Sequence, residues 1–109
     1  EIADNNGAIA APCHPGRKRV GMYAHIDEYG VPEGVRIVEV YNGGSRDNED
    51  DISLKMAEEQ GYLGIGGSDS HIVSHVGRCA TEFPADLGSE QELVEALKAG
   101  EFTALNLRA

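Results

Sequence analysis

The feature that most restricts the fold is a pair of strand-like runs, Val35-Arg36-Ile37-Val38-Glu39-Val40-Tyr41 and Leu63-Gly64-Ile65-Gly66-Gly67, with a helix-like stretch between them. The first run is rich in β-branched residues and lies between turn formers, Pro32-Glu33-Gly34 before it and Asn42-Gly43-Gly44 after it. Ala8-Ile9-Ala10-Ala11, which stops at Pro12, and Phe102-Thr103-Ala104-Leu105-Asn106-Leu107 are two further candidate strands. The stretch between the central strands opens at Asp47 or Asn48 and carries Glu49, Asp50 and Asp51 near its positive end, where an acid run reads as a solvated helix start. It places Ile52, Met56 and Ala57 on one stripe and meets Gly61 just past its last turn. A later helix is specified by the capping box of Ser89 and Glu92, the stripe of Leu93, Ala96 and Leu97, and the closing Gly100. Gly16 to Tyr29, with Tyr23 and Ile26 at helical spacing, reads as a short helix or an ordered loop. Strands alternating with helices predict an α/β fold with parallel strands, and such sheets carry their functional residues just beyond the carboxyl ends of strands.

At 109 residues and 40% hydrophobic, the chain suits one domain with a real core. Nineteen acidic against nine basic residues give a formal charge of −10, which disfavours a general nucleic-acid or anionic-membrane surface. There is no long apolar run and no charged-then-apolar leader, so a cytoplasmic chain with no membrane partner is expected. Cys13 and Cys79 are expected as free thiols, with Cys13 packed inward. The opening Glu-Ile-Ala-Asp-Asn-Asn-Gly reads like the tail of a helix, from which the chain is expected to begin mid-domain.

Two strand ends carry metal-site grammar. In Cys13-His14-Pro15-Gly16-Arg17, Pro15 cannot extend a strand and biases His14 toward an extended backbone. In Gly67-Ser68-Asp69-Ser70-His71, an extended chain would turn Asp69 and His71 to the same face. Imidazole nitrogen and carboxylate oxygen suit zinc, manganese or iron. Taken singly, each segment reads as well as a polar turn. Arg17, with Lys18 and Arg19, forms the dense basic cluster of an acidic chain, and its planar guanidinium suits a phosphate. His25 and His75 read as surface residues. Gly64-x-Gly66-Gly67 lacks the lysine and the following helix of a nucleotide loop.

Taken in order, His14-Pro15-Gly16-Arg17, Val38-Glu39-Val40-Tyr41-Asn42, Gly67-Ser68-Asp69-Ser70-His71, then Val76-Gly77 and a closing helix ending in Ala-Gly, resemble the C-terminal part of the PHP family. This is the polymerase and histidinol phosphatase superfamily of metal-dependent phosphoesterases. The resemblance implies that residues 1–109 are the C-terminal part of one incomplete domain, a distorted, TIM-like β/α barrel of about seven parallel strands. It also implies hydrolysis of a phosphate ester by metal-activated water, with divalent zinc, manganese, iron or magnesium as cofactor. His14 matches the family's His-Pro ligand, and Asp69 and His71 its last Asp-x-His pair. Arg17 is expected to clamp the phosphate, while Glu39 and Ser68 support the ligands from behind.

The family's opening His-x-His pair, its further histidines and its bridging Glu have no counterpart here. The chain therefore holds about half of a cage, and metal binding by it alone should be weak. The implied partners are a phosphorylated small molecule or nucleotide and the missing N-terminal part of the domain or another chain. A second copy is also possible, since a truncated barrel exposes sheet edges. The alternative is a non-catalytic PHP-like structural or partner-binding module.

Overall fold

In a computed structural model, which describes residues 2–108, the central expectation holds: a helix connects two parallel strands. In chain order the elements are α1 (Ile2–Asn5), a 3₁₀ turn (Met22–His25) running into α2 (Ile26–Tyr29), β1 (Ile37–Asn42), α3 (Glu49–Gln60), β2 (Leu63–Gly67), a 3₁₀ turn (Val73–His75), β3 (Cys79–Glu82), α4 (Glu90–Ala99) and β4 (Thr103–Asn106). β1 and β2 align from Ile37 opposite Leu63 to Asn42 opposite Gly67, with the register slipping between Glu39 and Tyr41. Parallel neighbours need a crossover of this kind, and α3 supplies it. Val40 crowds the partner strand at the slip: a Cβ on Gly64 would lie 2.6 Å from its Cγ2, so glycine is required there.

Parallel pairing does not extend to the whole sheet. β3 and β4 pair antiparallel, Cys79 opposite Asn106 and Glu82 opposite Thr103. Cys79 to Glu82 is too short to show a period, which is why no strand was legible there. The two pairs meet at Gly66, whose N–H donates to Thr81 Oγ1 at 3.0 Å, while that hydroxyl donates to Gly66 O at 2.8 Å. The described strands thus form two two-stranded sheets, an α/β arrangement in which no closed seven-stranded barrel is present among the described residues. Ala8–Ala11 is not a strand. One backbone bond from Glu39 N to Pro12 O, at 3.1 Å, ties that segment to β1, and the prolines that follow have no N–H to extend the ladder.

The core consists of Ile37, Val38 and Val40 from β1, Met56 and Ala57 from α3, and Cys79. α3 buries Glu49, Ser53, Met56 and Ala57, spaced along one helical face. Ser53 thus takes the place expected for Ile52, which is only half-buried. The burial of two polar residues at the start of this face is explained by the loop they hold, described below. In α4, Ser89 Oγ accepts from Glu92 N at 3.2 Å, as expected, but the Glu92 carboxylate accepts from Gly88 N instead of completing the box. No residue of α4 is buried, so its predicted apolar stripe is at most partly covered. Among the described residues no helix is long and apolar enough to cross a membrane.

Candidate functional site

The loop from Pro12 to Gly21 is fastened to the amino end of α3. Gly16 N–H donates to Ser53 Oγ at 2.8 Å, and Lys18 N–H donates to Glu49 Oε2 at 3.0 Å. Glu49 Oε1 accepts from Arg46 N at 2.8 Å. The Lys18 N–H holds the Glu49 carboxyl below the ordinary carboxylate range, burial opposes this, and the Arg46 N–H and the charges of Arg17 and Lys18 reinforce it. The acid run is therefore not a solvated helix start. Glu49 is buried as a bracket for two loops, while Asp50 pairs with Arg108 and accepts from Asn42 N at 3.1 Å. Asp51 alone remains exposed.

A polar chain crosses the carboxyl ends of β1 and β2. Arg17 Nη2 donates to Asp69 Oδ2 at 3.1 Å and to Asn42 Oδ1 at 3.0 Å. Asn42 Nδ2 donates to Glu39 Oε1 at 2.6 Å, and that same oxygen accepts from His14 N at 2.9 Å. Asp69, Arg17, Glu39 and His14, all singled out from sequence, are thus joined through buried Asn42, which was not. The available signal was the Asn-Gly-Gly at the strand end: Asn42 Oδ1 accepts from Gly44 N at 2.8 Å, the side-chain turn that Asn favours. Gly44 gives the cluster room, since a Cβ there would lie 3.1 Å from Asp69 Oδ2.

Two backbone expectations are corrected. His14 is not extended but has φ +27°, in a turn closed by Arg17 N donating to His14 O at 3.0 Å and held by Glu39. The turn bond and the tertiary bond to Glu39 together outweigh the local bias from Pro15. The extended run of β2 stops at Gly67, and Asp69 has φ +49°, so the alternation that would align Asp69 with His71 is broken. Asp69 turns to Arg17, while His71 is exposed with Nδ1 3.0 Å from Asp69 O. Ser68 supports the return toward β3, its Oγ donating to Cys79 O at 3.2 Å and accepting from Gly77 N at 2.7 Å. His25 lies against Arg19 O, away from this cluster. Among the described residues no group of three or more His, Cys, Asp or Glu side chains is placed to hold a metal ion.

Arg17, Asp69 and His71 line a cleft of about 620 Å³, shared with Lys18, Arg46, Arg78, His75 and Glu49. Four of the nine Lys and Arg residues of a −10 chain are gathered here. That local reversal of charge is what an anion-binding cleft requires. The volume is that of a site for a small organic ligand. His75, read as a surface residue, is on its wall.

Cys13 is exposed, not packed, with Sγ 3.4 Å from His14 Nε2, while Cys79 is buried and burial pushes its thiol up. Native protein is expected to react with a disulfide reagent at Cys13 alone, and Cys13→Ser to abolish that reaction until denaturant is added. Rapid labelling of native Cys13→Ser would contradict this placement.

A protein-family model described as PHP-associated matches residues 47–102, just over half of the chain. The match spans α3, β2, Ser68, Asp69, His71 and α4, and leaves His14, Arg17 and Glu39 outside it. No curated protein and no solved structure matches the chain. On the strength of that match, which covers one wall of the cleft together with the helix and strand that carry it, the chain belongs to the PHP-associated family.

Proposed function

We propose that this chain is the C-terminal, phosphate-holding part of a PHP-type, metal-dependent phosphoesterase, acting on a phosphorylated small molecule or nucleotide in the cytoplasm. The observation that carries this reading is the placement of Arg17, Asp69 and His71 in one cationic cleft at the carboxyl ends of parallel strands. Arg17 is held in place through Nη2 by Asn42 and Asp69 and through Nε, 4.0 Å from Glu49 Oε1, which leaves Nη1 for phosphate oxygens. Because charge develops on those oxygens during ester cleavage, a fixed guanidinium stabilises the reacting state without rearranging. Glu39 fixes the backbone of His14, and Ser68 fixes the turn that carries Asp69 and His71.

The donor chemistry of His14, Asp69 and His71 fits a divalent ion such as zinc, manganese, iron or magnesium. His14 Nδ1 is buried with no hydrogen-bond partner among the described residues, and Arg17 engages Oδ2 of Asp69, leaving Oδ1 for another partner. These donors do not converge as a set, so the reading assigns the remaining ligands to the rest of the domain, another chain or a second copy. Such an ion, when bound, would acidify a water and polarise the phosphoryl group.

Arg17→Gln is expected to weaken binding of inorganic phosphate, measured by titration calorimetry, by about tenfold, the worth of one charge-assisted hydrogen bond. Undiminished affinity would overturn the assignment of Arg17. Metal-dependent hydrolysis of p-nitrophenyl phosphate by the full-length protein should fall sharply in His14→Ala and Asp69→Ala, and near-normal turnover in both would overturn the ligand assignment. The Arg17–Asp69 pair, which ties up a carboxylate oxygen, favours the second reading of a non-catalytic phosphate-binding module. Phosphate binding without hydrolysis in the full-length protein would select it.

A further inference from the structure

The cleft's cations are not equivalent. Arg17 is paired with Asp69, and Lys18 with Asp47 at 3.4 Å. Arg46 and Arg78 have no ion pair, and their guanidinium groups make no hydrogen bond, among the described residues. Their backbones are nevertheless anchored. Arg46 N donates to Glu49 Oε1 at 2.8 Å, and Arg78 O accepts from Leu107 N at 2.9 Å. Arg78 also packs over the turn after β1, where a Cβ on Gly43 would lie 3.0 Å from its own Cβ. Two exposed arginines on anchored backbones therefore line the same cleft as the Arg17 network but belong to different segments, the β1–α3 turn and the approach to β3. The cleft volume of about 620 Å³ suits an organic phosphate with a body of its own better than a bare phosphate ion.

We infer that Arg46 and Arg78 form a second anion subsite, so that the cleft takes a phosphomonoester carrying a second phosphate group on its organic body. This rests on the reading of Arg17 as the first phosphate contact. The chemistry is that of the guanidinium fork: an Arg with no carboxylate partner keeps its donors for a ligand oxyanion, whereas one engaged with Asp69 has part of its capacity used. Since the chain as a whole repels anions, a ligand must gain its affinity from contacts inside the cleft, and a second phosphate reaching Arg46 and Arg78 adds them.

The experiment titrates the 109-residue chain with a matched pair of probes, fructose 6-phosphate and fructose 1,6-bisphosphate, at one pH and ionic strength. The bisphosphate is expected to bind roughly tenfold more tightly, the increment of one added charge-assisted contact. Arg46→Gln/Arg78→Gln should remove that advantage, costing fructose 1,6-bisphosphate about tenfold more affinity than it costs fructose 6-phosphate. Lys55→Gln/Lys98→Gln, which removes the same charge from exposed helix positions outside the cleft, should retain it. Both arginines are exposed, and circular dichroism of the double variant checks that the fold is intact. Equal affinities for the two probes, or an advantage that survives in Arg46→Gln/Arg78→Gln, overturns the subsite while leaving the Arg17 reading in place. Failure of both probes to bind overturns the Arg17 reading and this inference together.

Discussion

Gly16→Ala is expected to destabilise the protein by about 3 kcal/mol, combining overpacking against a backbone that cannot move aside with loss of a buried hydrogen bond. A Cβ at this position would stand 2.1 Å from Glu49 O, 2.8 Å from Ser53 Oγ and 2.9 Å from Ser53 N. Two of these atoms belong to the helical backbone of α3, so the loop must lift off the helix. Lifting breaks the bond from Gly16 N to Ser53 Oγ and displaces Arg17, the next residue. Phosphate affinity should therefore fall along with stability. Gly34→Ala is the contrast: Gly34 has φ +79° but open space around its missing Cβ, so only the left-handed penalty of roughly 1–2 kcal/mol applies. Urea unfolding of the two variants decides the matter, and a Gly16→Ala loss no larger than that of Gly34→Ala would show that the loop is not seated on α3.

Glu49→Gln should cost about 2 kcal/mol near neutral pH, because a buried carboxylate accepting two backbone N–H groups is replaced by an uncharged, weaker acceptor. The pH dependence gives the sharper test. The native Glu49 carboxyl lies below its ordinary value, chiefly through the Lys18 N–H, so its stabilisation is fully present above the unfolded carboxylate range. It is lost as pH falls through the lowered native value, where protonation removes the charge that the two N–H groups prefer. The gap between wild type and Glu49→Gln should thus be widest at neutral pH and close progressively below the usual glutamate pKa of about 4.3. A gap that stays constant across that acid range would mean that the charge of Glu49 does not hold the loops.

Local patterns made much of the fold legible. The β-branched run of β1, the glycines closing α3 and α4, and Ser89 as a cap all act through neighbours a few residues away. β3 was not legible, because four residues without alternation become a strand only when β4 pairs with them and Thr81 meets Gly66. The same limit applied to the start of α3. Glu49 reads as surface charge in any local window, and its burial follows from the Lys18 N–H that a loop some thirty residues earlier in the chain brings to it. The site residues were recognisable by type and by their position after strands. Their partners were not, since Asn42 links Arg17 to Glu39 across separate segments.

From the sequence alone follow the α/β class, the parallel β1–α3–β2 unit and the presence of His14, Arg17, Asp69 and His71 just beyond segment ends, because periodicity, turn chemistry and helix caps are short-range properties. Tertiary structure decided which way those residues face. The left-handed backbones of His14 and Asp69 are held by bonds from Glu39 and Arg17, interactions between distant segments that outweigh the local preference for extended chain. It also decided that arginines from three separate segments share one cleft, which turns an acidic chain into one with a local site for an anion.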